Sequence, residues 1–151
     1  MSTPTIASPD ALPTLACACA SLRRASRAVT HMYDEALRGH GVYPTQYTML
    51  YVLDKKGDMR QGELGAFLAT DSTTLTRTLR PLQKDGLISV KPGKDARERV
   101  LTITSKGRAL VEKVRPAWEA VQQKLRTSIG DQHWQRMLGE LAAIAGAATS
   151  A

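Results

Sequence analysis

Between Ser72 and Arg80 the sequence reads Ser-Thr-Thr-Leu-Thr-Arg-Thr-Leu-Arg. Short hydroxyls and long guanidinium groups alternate there with leucines. Ser72, Thr73, Thr74 and Thr76 can hydrogen-bond phosphate oxygens or base edges at close range. Arg77 can grip a guanine edge with both arms of its fork, and Arg80 adds a second long cation. A second grouping follows at Lys94-Asp95-Ala96-Arg97-Glu98-Arg99, in a polar stretch that opens with Pro92-Gly93. An arginine carried on such a projection can enter a narrow minor groove. The chemistry on offer is recognition of duplex nucleic acid.

Other reactive side chains do not assemble into a catalytic or metal-binding pattern. Cys17 and Cys19 are too few for a four-ligand zinc site or a disulfide framework. His31, His40 and His133 are scattered without metal-ligand spacing. No glycine-rich cofactor loop and no Ser/His/Asp or paired-carboxylate grouping is legible. No cofactor, no metal and no enzymatic activity are expected.

The charge supports the first reading. The chain has 151 residues, 21 basic and 14 acidic, for a net charge of +7. Residues 60–108 hold ten basic and five acidic side chains, so most of the excess lies in the segment that carries both groupings. Such a footprint suits an anionic partner. Aromatic residues make up 5%, which argues against a stacking platform for single strands. No apolar run reaches membrane-spanning length, and no basic residue precedes the apolar stretch at 11–20, so a signal peptide and a membrane partner are not expected. The cytoplasm is the expected compartment.

The elements that must position these residues follow from periodicity. Residues 1–12 read as a disordered tail. Leu15 to Arg38 shows helical spacing, ended by Gly39 and Gly41. Pro44 opens a second helix that stops at Gly57, with Tyr47, Leu50, Tyr51 and Leu53 inward. A short helix over Gln61–Leu68 turns Leu64, Phe67 and Leu68 inward. Thr70-Asp71-Ser72 is a turn of good cap residues ahead of a fourth helix over Ser72–Lys84, with Leu75, Leu79 and Leu82 on one face. Leu87–Lys91 and Arg99–Ile103 read as two strands of a hairpin. Ser105–Ser128 and Gln132–Ala145 complete the set, with Pro81 and Pro116 expected to kink their helices. The fold class is therefore mainly α with a small β-hairpin wing (α+β): a winged helix-turn-helix lobe plus a helical lobe. The apolar stripes of the first, fifth and last helices exceed what one small core needs, and Trp118 and Trp134 need cover, which points to a dimer.

Asp95-Ala96-Arg97-Glu98-Arg99-Val100-Leu101-Thr102-Ile103-Thr104-Ser105-Lys106-Gly107 resembles the wing signature of MarR-family transcription regulators. Ser72 to Leu82, with Gly86-Leu87, is similar to that family's recognition helix and its exit. The likeness runs from about Leu15 to Ile144. It implies a homodimer built by residues 13–40 and 105–146, with 44–104 as the DNA-binding lobe of a single domain over 13–151. It implies repression from near-palindromic operators, with two recognition helices roughly 34 Å apart. Arg97 would be the minor-groove residue, oriented by Asp95, while Ser72, Thr74, Thr76 and Arg77 would face the major groove.

The resemblance also implies release by a small aromatic or anionic ligand, or by thiol oxidation. Arg24, Tyr33, Tyr43 and Tyr47 are the candidate effector residues, for a crevice between the first, second and fifth helices. Cys19 falls on the apolar stripe of the first helix, as a buried small hydrophobe would. It also occupies a place similar to the reactive cysteine of the family's peroxide-sensing branch, although Arg23 stands where that branch has a tyrosine. Two other classes compete: a dimerisation fragment of an enzyme, and an RNA- or protein-interaction module.

Overall fold

The computed structural model describes residues 11–151. The predicted tail thus lies outside the described residues except for Ala11 and Leu12, which have no regular secondary structure. The elements run α1 (Ala18–Leu37), α2 (Pro44–Lys56), β1 (Met59–Arg60), α3 (Gln61–Phe67), α4 (Ser72–Lys84), β2 (Ile88–Pro92), β3 (Arg99–Ile103), α5 (Ser105–Ile129) and α6 (Asp131–Ser150). They form two units: Leu37–Ala117, and the residues up to Ala36 together with Trp118–Ala151.

The Leu37–Ala117 unit is a winged helix. Pro44 starts α2 where its missing N–H is no loss, and the Gln46 side chain accepts from the Tyr43 amide at 3.0 Å. Tyr47, Leu50 and Leu53 of α2 are fully buried, along with Leu64 of α3 and Leu101 of β3; Leu75 and Leu82 of α4 are nearly so. Each such leucine stabilises the fold by about 1.5–3 kcal/mol on transfer from water. Phe67, expected inward, is 55% exposed instead. In a helix as short as α3 one narrow face suffices, and Leu64 and Gly65 fill it.

The turn between α3 and α4 is tight. A side chain at Gly65 would meet Leu75 Cδ2 and the Thr70 carbonyl oxygen, each at 3.2 Å, so the helices approach closely there. Ala69 takes up the bend with φ +49°, a left-handed conformation that costs an alanine about 1–2 kcal/mol. Asp71 then caps α4, its Oδ1 accepting from the Thr74 amide at 2.8 Å. The bounds of α4 are those its spacing predicts, and the helix continues through Pro81, as α5 does through Pro116.

The wing is three-stranded, not the two-stranded hairpin that alternation suggests. The order is β1-β3-β2, all antiparallel, with Met59 opposite Leu101 and Arg60 opposite Val100. Two residues are too few to leave a periodic signal in sequence. Beyond β3, Thr104 caps α5: its hydroxyl accepts from the Gly107 amide at 3.1 Å and bonds the Gly86 carbonyl at 2.7 Å. A Cβ at Gly107 would lie 2.2 Å from the Leu87 carbonyl oxygen, so the helix reaches the sheet only because that residue is glycine.

In the second unit, Val121 of α5 and Trp134 of α6 are buried. The Tyr33 ring lies 6.3 Å from that of Trp118, and its hydroxyl accepts from the Gln122 amide. The remaining apolar stripe of α6 is open: Leu138, Leu141 and Ile144 are 45%, 41% and 47% exposed. Cys19, expected on a buried face, is exposed, as is Cys17. Cys17 lies just outside α1 and Cys19 sits in its first turn, which packs too little against the unit to cover either thiol.

Candidate nucleic-acid interface

Helical geometry sorts the residues of α4. Leu75, Leu79 and Leu82 take the inner face, so Thr73, Thr76, Arg77 and Arg80 are left exposed on the other side. Ser72 is exposed in the first turn. Thr74, on the flank, is half-buried, and its amide is committed to Asp71. Its hydroxyl and amide together hold the Asp71 carboxyl below the usual aspartate range. The exposed face thus carries hydroxyls near its start and guanidinium groups along its length, a surface that fits a major groove.

One of those hydroxyls is already engaged. The Gln61 side-chain amide, from the first residue of α3, donates to Thr76 Oγ1 at 3.0 Å. The bond occupies one lone pair of that hydroxyl and restricts the directions open to its proton. Gln61 had no signal in sequence, since its partner lies fifteen positions on, across a turn.

The wing loop holds itself together through its backbone. The Gly93 amide donates to the Glu98 carbonyl and the Glu98 amide to the Asp95 carbonyl, both at 2.9 Å. Asp95, expected to orient Arg97, accepts from the Arg97 backbone amide at 3.0 Å and so shapes the loop that carries it. Lys94, Arg97 and Arg99 are all exposed. A groove of about 490 Å³ separates the wing from the start of α3, lined by Arg60, Gln61, Glu63, Ala66, Arg97 and Arg99 among others.

Arg60 is the second residue that sequence reasoning missed. Its guanidinium donates to Glu63 Oε1 at 2.7 Å and to Glu98 Oε1 at 3.1 Å. Both carboxylates favour its charged form and raise its pKa further, while the same contact holds Glu63 below the usual glutamate range. Strand β1, which brings Arg60 beside the wing, is the element alternation left unseen.

The candidate effector residues fall in different settings. The Arg24 guanidinium donates to the Pro13 carbonyl at 2.8 Å. Tyr33 is half-buried, and burial pushes its phenol up, partly offset by Gln122. Tyr43 is 71% exposed ahead of α2, whereas Tyr47 is fully buried in the core of its unit and offers a ligand no surface. Among the described residues no three His, Cys, Asp or Glu side chains gather into a metal site, and no helix is long and apolar enough to cross a membrane.

A sequence model of the MarR family matches residues 42–98, which span α2 to α4, β2 and the wing loop as far as Glu98. The M. tuberculosis transcriptional regulator MosR, solved in complex with DNA, superposes with a TM-score of 0.80 at 39% identity, over 89% of this chain and 97% of MosR. Two Bacillus subtilis regulators of the HTH type are similar in sequence. YwoH is 25% identical over 111 residues, 74% of this chain and 81% of YwoH. MhqR is 30% identical over 96 residues, 63% of this chain and 66% of MhqR.

Proposed function

Because the chain belongs to the MarR family of transcriptional regulators and binds DNA, we propose that it acts as a homodimeric, operator-specific repressor released by a small phenolic or anionic ligand. It is a regulator rather than an enzyme. The observation that carries the reading is the exposed face of α4, Thr73, Thr76, Arg77 and Arg80, in the same unit as a wing bearing Arg97. Ser72 and Thr74 flank that face, while Lys94 and Arg99 add phosphate contacts beside Arg97. Residues 44–104 form the DNA-binding lobe in this proposal.

The dimer rests on a different observation. Leu138, Leu141 and Ile144 leave an apolar stripe on α6 open to water, and burying it against a second copy recovers the transfer energy the single chain forgoes. Residues 13–40 and 105–146 are its dimerisation helices. A two-fold pair sets two α4 helices about one DNA turn apart, which calls for a near-palindromic operator. For the effector, Tyr33 with its Gln122 partner supplies a polar handle beside the Trp118 ring, and Arg24 a counter-charge. The proposed compartment is the cytoplasm.

A second reading, release by peroxide through Cys19, is favoured by the exposure of both thiols at the start of α1.

One experiment tests the whole. Duplexes are selected from a random pool with the full chain, then the selection is repeated with phenolic acids and with peroxide. The proposal expects a near-palindrome bound as a dimer and released by one of the two treatments. Binding that does not distinguish the selected duplex from random DNA at physiological salt would refute it. Loss of peroxide release in Cys19→Ser would support the thiol reading; release unchanged by that substitution would remove it.

A further inference from the structure

We infer that Arg60 is a positioning residue for the wing: through Glu98 it sets where Arg97 stands relative to α4, and so fixes the distance between the two DNA contacts. The inference rests on the reading of Arg97 as a groove-binding residue.

Three elements meet at this one guanidinium. Arg60 lies in β1 and is the residue just ahead of α3, where Glu63 Oε2 accepts from its backbone amide at 2.9 Å while Oε1 takes the guanidinium at 2.7 Å. Backbone and side chain are therefore both tied to α3. The other arm of the fork reaches Glu98 in the wing at 3.1 Å. An isolated exposed ion pair contributes little to stability. Here the fork is shared by two carboxylates, and the ordering of the first side chain lowers the entropy cost of holding the second.

Glu98 is a suitable handle. Its carbonyl and amide close the loop on either side, to Gly93 and Asp95, and the next residue back is Arg97. Its side chain lies over Gly93, where a Cβ would come within 2.6 Å of Glu98 Cβ and 2.7 Å of Glu98 Oε2. Glycine at 93 thus leaves room for Glu98 to fold back on the loop and reach Arg60. With each arm of its fork on a carboxylate, Arg60 bridges α3 and the wing as a strut.

Charge gives the test a sign. Glu98→Gln removes a negative charge from a surface that meets DNA, so simple electrostatics predicts tighter binding. A positioning role predicts the opposite. With the duplex selected by the wild-type chain as probe, Glu98→Gln and Arg60→Ala are expected to bind about three- to tenfold more weakly and to lose hydroxyl-radical protection in the minor groove. Amide exchange over residues 93–98 in the full chain without DNA is expected to quicken, a readout that holds even if a variant is less stable overall. Equal or tighter binding by Glu98→Gln, with minor-groove protection and wing exchange unchanged, would overturn the inference. Arg97→Ala separates the two levels. If it binds and protects like wild type, the groove reading itself falls; if it weakens binding while Glu98→Gln does not, only the strut falls.

Discussion

The side chain of Gln61 holds the hydroxyl of Thr76 at 3.0 Å, so the first residue of one helix presets a polar contact on the exposed face of the next. A hydroxyl can rotate to donate or accept. With Gln61 donating, one lone pair of Thr76 is taken and its proton and second lone pair are left for whatever lies beyond it, which narrows the orientations in which it can read a base pair.

Thr76→Val is expected to cost about 1 kcal/mol of affinity for the selected duplex. Gln61→Ala is expected to cost less affinity but to relax the preference at one base-pair position. Competition binding against single-base variants checks both, and an unchanged preference in Gln61→Ala would show that the bond has no part in selection.

Arg97→Ala is expected to weaken duplex binding by about 1–3 kcal/mol if the guanidinium enters a groove. The loss should be concentrated at the outer positions of the site. Fluorescence anisotropy at fixed salt measures it.

Asp71 makes α4 sensitive to acid. The Thr74 hydroxyl and amide lower its folded pKa below the unfolded value, which is about 3.9. A depressed acid stabilises the fold above its unfolded pKa, and that contribution is lost as pH falls through the folded value. Asp71→Asn still caps but does not titrate. The stability advantage of wild type over this variant should therefore shrink below about pH 4, as urea midpoints taken from about pH 6 down to about pH 2 will register. An advantage independent of pH would mean that the cap carries no such linkage.

Gly107→Ala is expected to destabilise the chain by more than about 2 kcal/mol. The new Cβ would lie 2.2 Å from the Leu87 carbonyl oxygen and 2.8 Å from Ile103 Cγ1, and neither backbone nor branched side chain yields cheaply. Thermal melting measures the loss.

Leu141→Glu is expected to leave the helices folded and to dissociate the proposed dimer. Leu141 is 41% exposed in the single chain, so the substitution costs the monomer little, while a charge in a closed apolar seam is expensive. Sedimentation at micromolar concentration decides the point, and an intact dimer would place the seam elsewhere.

Much of the recognition surface was legible in sequence because its elements are local. The span of α4 follows from the leucine spacing of 75, 79 and 82 and the cap at Asp71, and opposite those leucines the helix leaves Thr73, Thr76, Arg77 and Arg80 exposed. The family likeness of the wing rests on a contiguous run from Asp95 to Gly107 and is equally local.

What sequence left unread lies across gaps in the chain. Strand β1 is two residues long, too short for any period, and becomes visible only where Met59 and Arg60 pair with Leu101 and Val100. Arg60 and Glu98 are separated by 38 positions, and no local rule links an arginine to a distant glutamate. Phe67 and Cys19 sat on apolar stripes yet proved exposed, because periodicity names a face without saying whether anything packs on it. Patterning thus determined which helices form and which of their sides are polar. Tertiary packing alone decided the partners of Thr76 and Glu98 and which apolar faces are covered, because those depend on surfaces that meet only once the chain has closed.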